Sequence, residues 1–218
     1  MINASALDNG LHAGDLKFVD LDGNNKIEQT TSANDRKDMK VIGNSLPRYN
    51  YNFGISADWY GIDFSVLFQG IGKQNWYPGA ETSMFWGPYS RPYASFIPSD
   101  FMSQVWSEEN TDAYFPRPRG YVALGSNREL AVVNTKYLQN LAYCRLKNLS
   151  IGYTLPDKWL SKIGFEKIRV YFSGENLLTF TKLHSDYIDP EQASASNSWK
   201  TSKSDANIYP WAKTYSFG

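Results

Sequence analysis

The sequence predicts an all-β fold, an antiparallel sheet of up-and-down strands, and three observations predict it. Apolar and polar residues alternate with period 2 over long runs, the pattern of strands with unlike faces. Aromatic residues make up 16% of the 218 residues (7 Trp, 15 Tyr, 12 Phe), which suits strands more than helices. The links between the alternating runs are by turns very short and very long.

Residues 1–47 are polar and turn-rich and read as a lead-in loop segment; residues 48–218 carry the strands. In the first strand Tyr49, Tyr51, Phe53, Ile55, Ala57 and Trp59 alternate with Asn50, Asn52, Gly54, Ser56 and Asp58. Tyr60 and Gly61 form a hairpin turn. In the second, Ile62, Phe64, Val66 and Phe68 alternate with Asp63, Ser65, Leu67 and Gln69, and Gly70 and Gly72 end the run. Residues 72–142 hold thirteen aromatics without a sustained period, and only Ser99 to Glu109 reads as helical. A third strand runs from Tyr143 to Leu155, with Leu149, Ile151 and Tyr153 on one face; Arg145 and Lys147 fall on that apolar face unless a bulge near Leu146 resets the register. After residues 156–166, Ile168, Val170 and Phe172 begin a fourth strand. Residues 177–212 form a second long loop, and Tyr215 and Phe217 open a fifth strand.

The links therefore run 2, 71, 11 and 36 residues. Short turns on one side of a sheet and long loops on the other are the pattern of a transmembrane β-barrel, with periplasmic turns and extracellular loops 72–142 and 177–212. Trp59, Tyr60 and Trp159 beside the short links fit an interfacial girdle. Five strands fall short of the roughly eight in the smallest bacterial barrels, so the barrel is incomplete in this chain. The competing reading is a freestanding extracellular, aromatic-rich β-sandwich that binds glycans.

Composition excludes other classes. With 22 basic and 22 acidic residues the net charge is zero, which argues against a nucleic-acid partner. Mean hydropathy is −0.48, and no apolar run approaches the ~18 residues of a membrane-spanning helix. Cys144 is the single cysteine, so an internal disulfide is excluded. The first ten residues lack the basic and apolar regions of a signal peptide.

At YLQNLAYCRLKNLSIGYTLP (137–156) the chain resembles the C-terminal barrel of SusC/RagA-type TonB-dependent outer-membrane transporters. GDLKFVDLDGNNKI (14–27), VIGNSLPRYNYNFG (41–54), DFSVLFQGIG (63–72), VWSEENTDAYFPR (105–117), RVYFSGENLLTFTKL (169–183), YIDPE (187–191) and the final TYSFG resemble the family in the same order. The family's signal peptide, TonB box, plug and most of its barrel have no counterpart among these residues. The resemblance implies location in a bacterial outer membrane, in contact with the lipid bilayer, and energised import of an oligosaccharide or peptide. It also implies a SusD-like surface lipoprotein as lid, and TonB acting through an N-terminal part outside this chain.

Chemistry-bearing motifs are few. In DLDGNNKIE, Asp20, Asp22, Asn24, the Lys26 carbonyl and Glu28 take positions 1, 3, 5, 7 and 9 of a calcium-loop template, since hard cations want oxygens at alternating spacing. Asn25 stands where the template wants Gly, and Thr31 where it wants a bidentate Glu, so the Asx side chains also read as turn caps. Trp76, Trp86, Tyr89 and Trp106 are the loop aromatics that would stack on sugar rings, with packing of the loop on itself as the alternative. Arg117 and Arg119 in FPRPRG would meet an acidic ligand, or solvent. His12 and His184 have no metal-spaced neighbours, Glu108 and Glu109 are adjacent and diverge, and Cys144 has no base nearby. No HExxH, GxSxG or Walker A motif is present, and the expectation is that the chain is not an enzyme.

Overall fold

The computed structural model describes residues 12–30, 32, 34–90, 97–125, 128–162, 164–197, 203–204 and 211–218. In chain order the elements are β1 (Arg48–Trp59), β2 (Ile62–Lys73), β3 (Asn75–Pro78), α1 (Ser83–Trp86), β4 (Gln139–Asn140), β5 (Tyr143–Thr154), α2 (Asp157–Leu160), β6 (Arg169–Thr181), α3 (Pro190–Asn197), β7 (Lys203–Ser204) and β8 (Thr214–Phe217). The chain divides into two units. One comprises Met1–Gly43, Tyr77–Leu138 and Thr201–Asn207; the other comprises Asn44–Trp76, Gln139–Lys200 and Ile208–Gly218.

The second unit is built on an antiparallel sheet in the order β1-β2-β5-β6-β8. Tyr60 and Gly61 take φ of 47° and 84°, the pair of positive angles that lets a two-residue turn follow the right-handed twist of its strands. Register then aligns like with like. Ala57, Phe64, Ile151, Phe172 and Phe217 form one row across all five strands. The adjacent row on the other face is Ser56, Ser65, Ser150, Ser173 and Ser216. The apolar face is bare: Ile55 is 61% exposed, Val170 58% and Phe217 78%. Among the described residues the sheet ends in edge strands β1 and β8 and does not close.

Three expectations are corrected in this unit. Gly70 and Gly72 do not end β2, which continues to Lys73; Gly70 is where the Tyr143 carbonyl and the Tyr51 hydroxyl crowd the backbone, so a missing side chain marks close approach, not a stop. The fourth strand reaches Thr181, because a register shift at Asn176 and Leu177 carries it past the break in alternation. Asn176 takes φ of 53° there. The long loop after it contains α3, which its sequence pattern does not announce. The bulge expected near Leu146 is present: Leu67 pairs with Asn148 but Phe68 with Leu146, and Lys147 is the extra residue.

The first unit is organised around aromatic rings. The helix expected over 99–109 is a single 3-10 turn, Phe101–Gln104. Val105 turns extended, with φ −98° and ψ 138°. The chain is held there by bonds from the Trp106 N–H to the Phe115 carbonyl (3.1 Å) and from the Phe115 N–H to the Gln104 carbonyl (2.8 Å). A bridge between Val105 and Phe115 outcompetes the helical pattern of 99–109.

Candidate functional site

On the polar face of the sheet, β1, β2 and β5 line a cleft of about 550 Å³. Asn50, Asn52, Gln69 and Tyr143 supply the wall, and Glu191 and Ser194 come from α3. The lining mixes apolar surface from Pro47, Gly70 and Ile71 with uncharged hydrogen-bonding groups of the kind that orient amides and hydroxyls.

Beside the cleft is a cluster of four charges. The bulge at Lys147 switches the parity of β5, so Arg145 pairs with Gln69 on the polar face and not with the apolar row. The Arg145 side chain is 2% exposed. Its Nε donates to Thr179 Oγ1 (2.9 Å), Nη1 to Glu191 Oε2 (2.7 Å) and Nη2 to Asp189 Oδ2 (2.5 Å). Lys147 Nζ reaches both Glu191 oxygens at 3.0 Å and lies 5.0 Å from the Trp211 ring centre. The remaining Asp189 oxygen accepts from the backbone N–H groups of Glu191 and Gln192 at 3.0 and 3.2 Å, capping α3. Two cations and two anions thus satisfy one another, as burial requires. Spacing along the sequence does not reveal this cluster, since Asp189 lies 44 residues from Arg145.

The four loop aromatics take different places. Trp86 is fully buried, and its indole N–H donates to the Pro78 and Gly79 carbonyls at 3.3 and 3.0 Å. Tyr89 is 1% exposed and donates to the Pro116 carbonyl at 2.5 Å. Trp76, in β3 and in the second unit, is likewise 1% exposed. Trp106 is half-buried with its ring against Gly14. Phe115 stands at the centre of the first unit, touching the rings of Phe85, Trp86, Tyr89, Phe101, Tyr114 and Tyr137. Burial pushes the hydroxyls of Tyr77, Tyr89 and Tyr137 well above the usual tyrosine range, so they stay neutral donors.

The two arginines of FPRPRG are engaged within the same unit. Arg117 Nε meets Asp15 Oδ1 at 2.5 Å, and Arg119 Nη1 meets the buried Glu129 at 3.1 Å. In the DLDGNNKIE turn, Asp20 accepts from the backbone N–H groups of Gly23 and Asn25, both at 2.7 Å, and Asn25 takes φ of 63°, the conformation glycine usually supplies. Carboxylate oxygens of Asp20, Asp22 and Asp38 lie within 4.8 Å of one another. Glu28 is not in that group; it accepts from the Asn24 amide and pairs with Lys37 at 3.7 Å. Asn24 Oδ1 accepts from the Lys26 N–H at 2.8 Å. Asp38, which no spacing template includes, receives the N–H groups of Glu28 (2.7 Å) and Leu21 (2.6 Å), and these hold its carboxyl below the usual range.

No protein-family model matches the chain. Among curated proteins it is similar to TonB-dependent receptor P3 of Formosa agariphila, 31% identical over 207 residues. That alignment covers 92% of this chain and 18% of the receptor. TonB-dependent receptor P26 of the same organism is 27% identical over 192 residues, covering 87% of this chain and 17% of its own. Over most of its length the chain is thus similar to one part of TonB-dependent receptors.

The solved structures agree in fold. The RagAB peptide importer in its open-open state superposes with a TM-score of 0.52 at 22% identity, over 86% of this chain and 18% of that one. The RagAB peptide transporter gives 0.55 at 23%, over the same shares. The chain therefore spans less than a fifth of these relatives' length. The curated proteins it resembles are named as receptors and the solved structures as a peptide importer, none of them as an enzyme.

Proposed function

We propose that the chain is a C-terminal stretch of the wall of an outer-membrane importer, with the apolar face of β1, β2, β5, β6 and β8 against lipid and the polar face toward the lumen. The observation that carries this reading is the bare apolar face: five strands aligned in register, with side chains that water would penalise and no covering layer among the described residues. Among the described residues β1 and β8 are edge strands, and an edge in lipid calls for a neighbouring strand, as a closed wall supplies. The tight β1–β2 turn and the short link through α2 lie on the periplasmic side, and the loops after β2 and β6 on the extracellular side.

The whole receptor imports an oligosaccharide or peptide beneath a SusD-like surface lipoprotein, with TonB engaging a part outside this chain. Peptide import is the activity named for the RagAB neighbours. The test is fractionation of the source cells with an antibody against residues 97–125, followed by capture of the receptor and identification of what accompanies it. A heat-modifiable band several-fold heavier than this chain in the outer membrane, accompanied by a surface lipoprotein, is expected. A soluble species of this chain's own size overturns the reading and favours the glycan-binding sandwich.

A further inference from the structure

The geometry points to a latch: Arg145 is a positioning residue that holds residues 182–194 as a strap against the polar face, so that α3 forms one side of the cleft. The strap has two kinds of attachment. Leu183, Ile188 and Ala193 are buried, which holds it by apolar contact without setting its rotation. Direction comes from the charges. The guanidinium of Arg145 is planar and presents its donors in a fixed fork, so meeting Asp189 and Glu191 at once sets the strap's position and rotation together.

Asp189 links the latch to the helix. One oxygen is taken by Arg145 and the other caps α3, with Pro190 at the first helical position where its missing N–H costs nothing. Glu191 then faces the cleft while bound by Arg145 and Lys147. Releasing Arg145 frees the strap's charged end, while Asp189 still caps α3 and the pairing of β5 with β2 and β6 remains. Without that hold α3 no longer fixes its side of the cleft.

The inference rests on the proposed reading only for the naming of the polar face as luminal, and the experiment separates the two. In the full-length receptor carrying Cys144→Ser and Ala193→Cys, the rate at which a maleimide labels the thiol at position 193 reports whether the strap is down. Arg145→Met is expected to raise that rate at least tenfold. Glu191→Gln, which leaves Arg145 paired with Asp189, raises it less. Arg145→Lys keeps the charge but not the fork and falls between the parent and Arg145→Met, an ordering that mere loss of bulk would not produce. If Arg145→Met is not recovered, Glu191→Gln carries the test alone. An unchanged labelling rate in a properly assembled receptor overturns the latch. Heat-modifiable migration in the outer membrane scores the importer reading independently.

Discussion

The Tyr51 hydroxyl donates to the Tyr143 carbonyl at 2.9 Å, spanning from β1 to β5, and Gly70 of β2 lies between them. A Cβ at position 70 would strike both partners, one of them backbone. Gly70→Ala is therefore expected to destabilise the sheet by about 1 to 3 kcal/mol, the usual range for overpacking. Heat-modifiable gel migration should show a lower transition temperature, and Gly72→Ala a smaller change, because its nearest neighbour is a tyrosine side-chain atom at 3.1 Å.

The two faces of β2 give a paired prediction. Val66 lies on the apolar face and Ser65 beside it on the polar one. On the proposed reading Val66→Arg costs about 2 to 4 kcal/mol at the bilayer midplane and lowers the amount assembled in the outer membrane, whereas Ser65→Arg assembles at near-parental levels. Equal behaviour of the two would count against the assignment of faces.

Phe115 is the ring on which the aromatic core of the first unit converges. Phe115→Ala removes the ring against which six others pack and is expected to cost about 3 to 5 kcal/mol locally. Limited proteolysis should cut within residues 97–125 at much lower protease concentration, while the strands of the sheet stay protected.

Asp38 supplies a pH test. Its carboxyl is held below the usual range, first by the Glu28 N–H and then by the Leu21 N–H, so its proton binds more readily when the loop is unfolded. The stabilisation is complete above the ordinary carboxylate range and is lost as pH falls through the lowered value. Hydrogen-exchange protection of the Leu21 and Glu28 amides should hold from pH 7 to 5 and fall below about pH 4. Asp38→Asn should reduce it at neutral pH as well.

What was legible in the sequence was what alternation writes directly. The faces of β1 and β2 follow from period 2, and the parity of Arg145 alone asked for the bulge that Lys147 provides. The strap was not legible, because ionic partners 44 residues apart leave no periodic trace and α3 shows no amphipathic pattern. Composition counted the aromatics of the loop without saying which faces close on each other, so Trp86 and Phe115 could not be told from Trp106. The Ser99 to Glu109 segment had a helical pattern that the bridge from Val105 to Phe115 overrode.

The serine row from Ser56 to Ser216 has a mechanical consequence. At that level the wall offers short, interchangeable hydroxyls in place of long side chains or fixed charges. Each hydroxyl both donates and accepts and can trade partners with water at little net loss. On the proposed reading, a body resting against this row meets no fixed charge within it. Charged groups flank this row on the polar face, Asp63 with Arg169 on one side, and the exposed Glu175 and then Arg145 with Asp189 on the other.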